Sequence, residues 1–140
     1  MIFLLSLALA SPVSTALSAR DGVSCATLGE HSDALRDELM ALSQPDVLPP
    51  AVPVRAATCL AERFGTDPRV QDAMLSWVSD ESRQGLALAA LMRVDLLGEP
   101  GAVRMVQAAL SSPLPRVAQK ATEMVPGSVH PAVRALVVAP

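Results

Sequence analysis

The chain of 140 residues contains no tyrosine and no asparagine, and its aromatic side chains are limited to Phe3, Phe64 and Trp77. Without asparagine there is no N-glycosylation sequon and no asparagine to assist a catalytic nucleophile. The apolar mass is Ala, Leu, Val and Met, which favours close helix packing over a β-sandwich. Hydrophobic residues make up 51% and charged residues 18%, a balance that excludes a disordered chain. The length and composition predict one all-α domain.

Motifs that carry chemistry are also missing. The sequence has no Gly-rich phosphate loop, no nucleophile elbow, no HExxH helix and no cysteine pair with metal-ligand spacing. His31 and His130 stand alone, and Lys120 is the single lysine. Asp80 and Glu81 are adjacent before a helix predicted to begin near Ser82, where acids favour the helix dipole. We therefore predict no enzyme activity, no catalytic residue, no cofactor and no metal. A net charge of −3 also argues against nucleic acid as a partner.

The first 19 residues carry no charge. An apolar run over 1–9 followed by small residues is typical of a secretory signal peptide, and we predict one over 1–19. Leu17-Ser18-Ala19 fits the cleavage site, and Ala8-Leu9-Ala10 is an earlier alternative. The basic n-region is absent, and a translation start upstream of Met1 would supply it. An uncleaved anchor or a core helix are the alternatives, but Pro12 is expected to interrupt either helix. The predicted location is exported, periplasmic or secreted, with no stable membrane span after cleavage.

Cys25 and Cys59 are the two cysteines. An even count in an exported chain predicts one disulfide, which stabilises a fold by roughly 2–4 kcal/mol. The alternative is two buried, unpaired thiols.

An internal repeat follows the leader. Its units share an acidic residue or histidine before proline, a glycine shortly upstream and a valine shortly downstream. Pro68 and Pro100 are 32 residues apart (100 − 68), and Pro100 and Pro131 are 31 apart (131 − 100). The shared positions are Gly65, Gly98 and Gly127, then Asp67-Pro68, Glu99-Pro100 and His130-Pro131, then Val70, Val103 and Val133. Glycine in a left-handed conformation ends one helix and proline begins the next, so each unit predicts a helical hairpin.

Apolar residues at helical spacing predict where the hairpins lie. The stripes are Val54, Ala57, Ala61 and Phe64, then Val70, Met74 and Trp77, then Val103, Val106 and Leu110. They place hairpins at 53–79, 82–111 and 115–138, with Trp77 in the core. Ser32 is predicted to cap one earlier helix over 33–43, and the proline-rich residues 44–50 form a rigid linker. The predicted fold is a short right-handed α-solenoid of about three hairpins over 51–140, preceded by one N-terminal helix and the linker over 20–50.

Residues 53–57 (Pro-Val-Arg-Ala-Ala) followed by 67–70 (Asp-Pro-Arg-Val) resemble the HEAT-like repeat, a family that includes the short HEAT repeats of the bilin-lyase type. The second unit departs from the pattern at residues 84–87, and the third has Arg116 before Val117 instead of after it. This resemblance implies the fold more than any function.

Two interpretations of the function follow. In the first, the protein is a non-catalytic scaffold that binds an unidentified protein partner or a second copy through its C-terminal end, where Leu136 and Val137 lack a capping helix. Gln71, Arg104 and Arg134, each after an anchoring valine, would form a row on the face of the second helices. The alternative is an accessory or enzyme of the HEAT-like lyase type, which handles a small ligand in the concave face and needs a polar or thiol group there; Cys59 is the only thiol inside the array.

Overall fold

The computed structural model describes residues 11–19 and 24–136, and these parts of the chain are helical with no strand. Short 3₁₀ turns occupy Cys25–Thr27, Glu81–Arg83 and Val94–Leu97. The α-helices in the described residues are α1 (Pro12–Leu17), α2 (Asp33–Leu42), α3 (Ala51–Phe64), α4 (Pro68–Trp77), α5 (Gln84–Leu91), α6 (Gly98–Leu110), α7 (Pro115–Met124) and α8 (Pro131–Arg134). The prediction of an all-α protein is confirmed.

The described helices form two rows, one of odd-numbered helices and one of even-numbered helices. In the odd-numbered row, α1 packs on α3, α3 on α5 and α5 on α7. In the even-numbered row, α4 packs on α6 and α6 on α8. The rows meet where α2 packs on α3, α4 on α5 and α6 on α7. The regular superhelix and its right hand remain predictions.

Two of the helices begin directly after a polar residue whose side chain caps the first turn. Ser32 precedes α2, and its hydroxyl accepts the Leu35 N–H at 3.1 Å. Asp67 precedes α4, and its carboxylate accepts the Arg69 N–H at 2.8 Å. Pro68 lies in the first turn of α4, where its missing N–H would have no partner within the helix. Local sequence therefore determines these boundaries.

The repeated glycines act differently from the prediction. Of the three, only Gly98 has a positive φ, at 76°. Gly65 keeps a helical φ of −59°. A Cβ on Gly65 would lie 2.5 Å from the carbonyl oxygens of both Ala61 and Leu96, so glycine is needed there for close approach and not for a left-handed conformation.

The core follows most of the predicted stripes, with two corrections. Val70, Met74 and Trp77 are buried as predicted. The exposed fraction of Val54, however, is 40%. The buried side of α3 is instead centred on positions such as Val52 and Ala56, together with the predicted Ala57, Ala61 and Phe64. Likewise the buried face of α6 is centred on Ala102, Met105, Val106 and Ala109, so Val103 lies at its edge and is half-buried.

Among the described residues, two α-helices precede the proline-rich linker instead of the one predicted. The additional helix is α1, which lies inside the segment expected to be a signal peptide. Val13 and Leu17 on α1 are 6% and 0% exposed, so this helix belongs to the core. Pro12 does not interrupt α1, because it occupies the first turn. Residues 1–10, which carry the predicted apolar run, lie outside the described residues, and cleavage of the leader remains a prediction.

Candidate functional site

The predicted row of Gln71, Arg104 and Arg134 forms only in part. The side-chain amide of Gln71 donates to the carbonyls of Gly65 and Leu97, both at 2.9 Å. Its Oε1 accepts from Nη2 of Arg104 at 2.6 Å. The structure therefore brings Gln71 and Arg104 together, and Gln71 serves as a connector between successive even helices.

Arg134 lies apart from the other two. Its Nη1 donates to the carbonyl of Ser128 at 2.8 Å. In the part of the chain that the structure describes, no hydrogen bond joins Arg134 to Arg104 or Gln71. Both arginines are exposed. The row thus consists of two separate exposed cations and one occupied amide, which is a weaker recognition surface than three free side chains.

The C-terminal end is more closed than the sequence predicts. Val133 is buried and Leu136 is half-buried against the core, so these residues fold back on the preceding hairpin. Val137 lies outside the described residues. The neighbouring α7 is polar on its outer side, where Lys120 and Glu123 form an ion pair at 3.0 Å. Of the two outcomes expected for this end, the described residues favour closure over an open apolar surface.

Cys25 and Cys59 form a disulfide with their Cα atoms 5.2 Å apart. Cys59 is 1% exposed and Cys25 is 7% exposed. Since the chain has no other cysteine, no free thiol is present. The one thiol that the lyase-type alternative could use is therefore occupied by the bridge.

An open cleft of about 440 Å³ lies between the start of α2, the end of α3 and the start of α4. Within it, the guanidinium of Arg36 is 7% exposed and contacts carboxylate oxygens of Asp33, Asp37 and Asp67 at 3.1, 3.0 and 3.1 Å. The ring of His31 stacks on Phe64, with centroids 4.4 Å apart. The cleft is lined by His31, Asp33, Arg36, Phe64, Thr66, Asp67, Pro68 and Arg69.

The buried guanidinium of Arg36 is paired with the carboxylates around it. Hydrogen bonds to Asp37 and Asp67 hold the pKa of Arg36 above its ordinary value, although burial opposes the charge. Burial alone would raise the pKa of Asp67, but the Arg69 N–H and the Arg36 guanidinium outweigh burial, and the pKa is lowered. Among the described residues no group of acids, histidines or cysteines has the arrangement of a metal site. We therefore interpret the cleft as a structural charge cluster.

A different surface, absent from the sequence predictions, lies on the outer side of α5. Leu86, Ala87, Ala90 and Leu91 form its buried side. The opposite side carries Gly85, Leu88, Ala89 and Met92, which follow the i, i+3, i+4, i+7 spacing of one helix face. A helix that is apolar all round is normally buried on all sides. Here Leu88 and Ala89 are half-buried, whereas Gly85 and Met92 are exposed, Met92 by 51%.

Val54 of the neighbouring α3 extends this surface. A Cβ added to Gly85 would lie 3.8 Å from Cγ2 of Val54, so the two positions adjoin. We call Val54, Gly85, Leu88, Ala89 and Met92 the α5 face. The sequence signal for it is the uninterrupted apolar run 85–92, and periodicity alone does not tell which side of such a run is buried.

Polar groups border the α5 face. Arg93 and Glu62 form an ion pair at 3.1 Å on one side. On the other side, Leu88 shares a shallow depression with Arg116, Gln119, Lys120 and Glu123 of α7. An apolar centre with a polar, charged rim is the usual composition of a protein–protein interface. The α5 face is therefore the candidate functional site.

Comparisons with protein-family models, with curated proteins and with solved structures gave no match for this chain. Over residues 11–19 and 24–136, none of the helices combines the length and the apolar character needed to cross a bilayer.

Proposed function

We propose that the protein is an exported, non-catalytic helical-repeat scaffold that holds a protein partner on the α5 face. The partner is a folded protein that presents an apolar side chain or stripe to this face. The observation that carries the proposal is the apolar outer side of α5, because contiguous exposed apolar surface with a polar rim marks interaction sites in stable proteins.

Contacts between successive hairpins support the HEAT-like solenoid in this proposal. Arg36 binds Asp67, 31 residues away, and Arg104 binds Gln71, 33 residues away. Asp95 accepts from Ser128, also 33 residues away. Such nearly equal separations are expected when each unit contacts only its neighbours. A stack of this kind offers a rigid surface, which reduces the entropy lost on binding.

The disulfide supports export. Disulfides persist in oxidising compartments and are rare where glutathione keeps thiols reduced. The uncharged N-terminal run of the sequence also supports export.

Site-specific photocrosslinking tests the α5 face. A photoreactive residue would be placed at Met92 or at Val54 in the exported protein, and at Gln107 or Ser76 as exposed controls on even helices. We expect one and the same protein to be captured from the first two positions and not from the controls. Met92→Asp should lower that capture at least tenfold, because burying a charge in an apolar contact is unfavourable. Gln107→Asp should leave it unchanged.

Several results would refute this assignment. Equal capture from Gln107 would mean that the interface is not confined to the α5 face and includes the even helices. No capture from any position would mean that no protein partner binds these surfaces. A crosslinked dimer of the chain itself, with the same dependence on Met92, would mean that the α5 face binds a second copy of the chain and not a different protein.

The lyase-type alternative has no observation in its favour. The thiol that it could use is bonded in the Cys25–Cys59 bridge, and the buried guanidinium of the Arg36 cleft is paired with three carboxylates.

A further inference from the structure

One edge of the α5 face borders α7, and the charges at that edge are not balanced. The shallow depression between the two helices has a volume of about 180 Å³ and is lined by Leu88, Arg116, Gln119, Lys120 and Glu123. Within it, Lys120 and Glu123 form an ion pair at 3.0 Å. The charge that remains is that of Arg116, so the depression combines an apolar side chain with an excess of one positive charge.

Arg116 differs from most other arginines of the protein. Over residues 11–19 and 24–136, most arginine side chains donate to an oxygen of the chain, and these are Arg36, Arg55, Arg63, Arg83, Arg93, Arg104 and Arg134. Arg69 and Arg116 are exposed and have no such partner within these ranges. Arg69 lies at the start of α4, away from the α5 face. Arg116 is therefore the cation at this edge that can pair with a group from another molecule.

The position of Arg116 is also unfavourable within its own helix. α7 begins at Pro115, so Arg116 lies in the first turn, where the helix dipole opposes a cation. Lys120 follows four residues later, and like charges at that spacing repel each other. No ion pair in the described residues offsets these effects at Arg116. A carboxylate from outside the chain would relieve both of them.

The apolar part of the α5 face has the shape of a short ridge. The positions from Gly85 to Met92 lie along a length of about 10 Å on one helix. Gly85 and Ala89 are four residues apart on the same face, and their small side chains let the backbone of a second helix approach closely.

The same surface favours a helix over an extended segment. An extended peptide needs partners for its backbone hydrogen bonds, and it usually finds them at the edge of a sheet. The described residues of this chain contain no strand. A helix satisfies its own backbone groups and needs only side-chain contacts from the surface it binds.

We infer that the partner docks through an acidic amphipathic helix, whose apolar stripe covers Leu88, Ala89 and Met92 and whose neighbouring carboxylate pairs with Arg116. The opposite edge of the face does not work against this charge, because Arg93 and Glu62 neutralise each other at 3.1 Å. The whole chain carries a net charge of −3, so the preference for an acidic partner comes from this edge and not from the overall charge. The inference rests on the proposed function, since it takes the α5 face as the docking site.

Titration with synthetic peptides tests the preference. The probes are three helix-forming peptides with the same leucine stripe and with Glu, Gln or Lys at the positions beside it. Fluorescence anisotropy with the oxidised full-length protein would give their dissociation constants. We expect the Glu peptide to bind about three- to tenfold more tightly than the Lys peptide, because the exchange turns a surface ion pair into a repulsion. Raising the salt from about 0.05 to 0.5 M should remove most of this difference, since exposed charges are screened.

Charge reversal on the protein locates the preference. Arg116→Glu should reverse the order, so that the Lys peptide binds more tightly than the Glu peptide. Arg69→Glu is the matched control, because it makes the same change at the other exposed arginine without a partner, and it should keep the wild-type order. Met92→Asp should weaken the binding of all three peptides at least tenfold, since it places a charge in the apolar contact. Circular dichroism would verify that each variant is folded.

Three results would overturn the inference. They are equal binding of the three peptides to the wild type, an unchanged order in Arg116→Glu, and no binding of the Glu peptide.

Failure of this inference is distinguishable from failure of the proposed function. If photocrosslinking from Met92 captures a protein through a segment that is basic or uncharged, the inference is wrong and the scaffold proposal stands. If the peptide order depends on Arg116 but no protein is captured from Met92, the scaffold proposal is wrong and the preference of the α5 face for an acidic helix stands.

Discussion

At the front of the stack, a disulfide and a buried guanidinium attach residues 24–42 to α3 and to the start of α4. At the back, residues 125–134 are attached by hydrogen bonds around Asp95. We call these the front joint and the back joint. In the front joint, Cys25 is bonded to Cys59 and Arg36 pairs with Asp67 at 3.1 Å. In the back joint, the carboxylate of Asp95 accepts the hydroxyl of Ser128 and the N–H of Val129.

The difference shows how a short array can attach its two ends. The front joint also uses Arg63, which donates to the carbonyls of Cys25 and Gly29 at 2.8 and 2.7 Å and so fixes a segment without α-helix. The back joint has no covalent link, and α8 spans one turn, Pro131–Arg134. In arrays where each unit contacts only its neighbours, an end with fewer contacts opens first. We therefore expect the back to open more readily than the front in the oxidised protein.

Removing the disulfide should have the largest effect. Cys25→Ser should lower the free energy of unfolding by roughly 2–4 kcal/mol, because the bridge closes a long loop in the unfolded chain. Urea unfolding would measure the loss, and hydrogen exchange should show that α2 now opens at least as readily as α8. A reductant should act on the wild type in the same way and have no further effect on Cys25→Ser. An unchanged urea midpoint would mean that the bridge does not stabilise the front joint.

Removing the carboxylate of the back joint should have the next largest effect. Asp95→Ala should lower the free energy of unfolding by about 1–3 kcal/mol, because the Ser128 hydroxyl loses a charged hydrogen-bond acceptor and Ser128 is only 5% exposed. Glu99→Ala is the matched control. Glu99 is exposed and accepts one weak bond from Ala132 at 3.3 Å, so a change below about 0.5 kcal/mol is expected.

Hydrogen exchange again locates the effect of Asp95→Ala. Faster exchange should be confined to α7 and α8, with α2 unchanged. If α2 loses protection to the same degree, the two ends open as one unit and the distinction between the joints is wrong.

The smallest expected effect is that of acid on the front joint. The pKa of Asp67 is lower in the folded protein than its ordinary value of about 4. The folded state therefore binds fewer protons, and the contribution of Asp67 to stability is present above that ordinary value and is lost as pH falls through the folded pKa. Urea midpoints measured between about pH 5 and 2 should fall less steeply in Asp67→Asn than in the wild type. Asp72→Asn, an exposed change on the same helix, should keep the wild-type slope. Identical slopes in all three proteins would exclude Asp67 as a source of acid sensitivity.

The sequence by itself determined the helical class, the starts of α2 and α4, the core position of Trp77 and the pairing of the two cysteines. These depend on local signals: caps such as Ser32 and Asp67, proline in a first turn, helical spacing and an even cysteine count in a chain with a leader-like start. Each signal acts within one turn of helix or through composition, so it can be read without knowing the packing.

Only the tertiary structure decided which apolar side of α5 is open, why Gly65 must be glycine and that α1 belongs to the core. Leu86 and Met92 are both apolar in the sequence, and one is buried and the other exposed because α3, α4 and α7, which contact α5, cover Leu86 and leave Met92 open. Gly65 is required by the carbonyl of Leu96, a residue of the next hairpin. Burial depends on neighbours more than thirty residues away along the chain, and no local pattern specifies them.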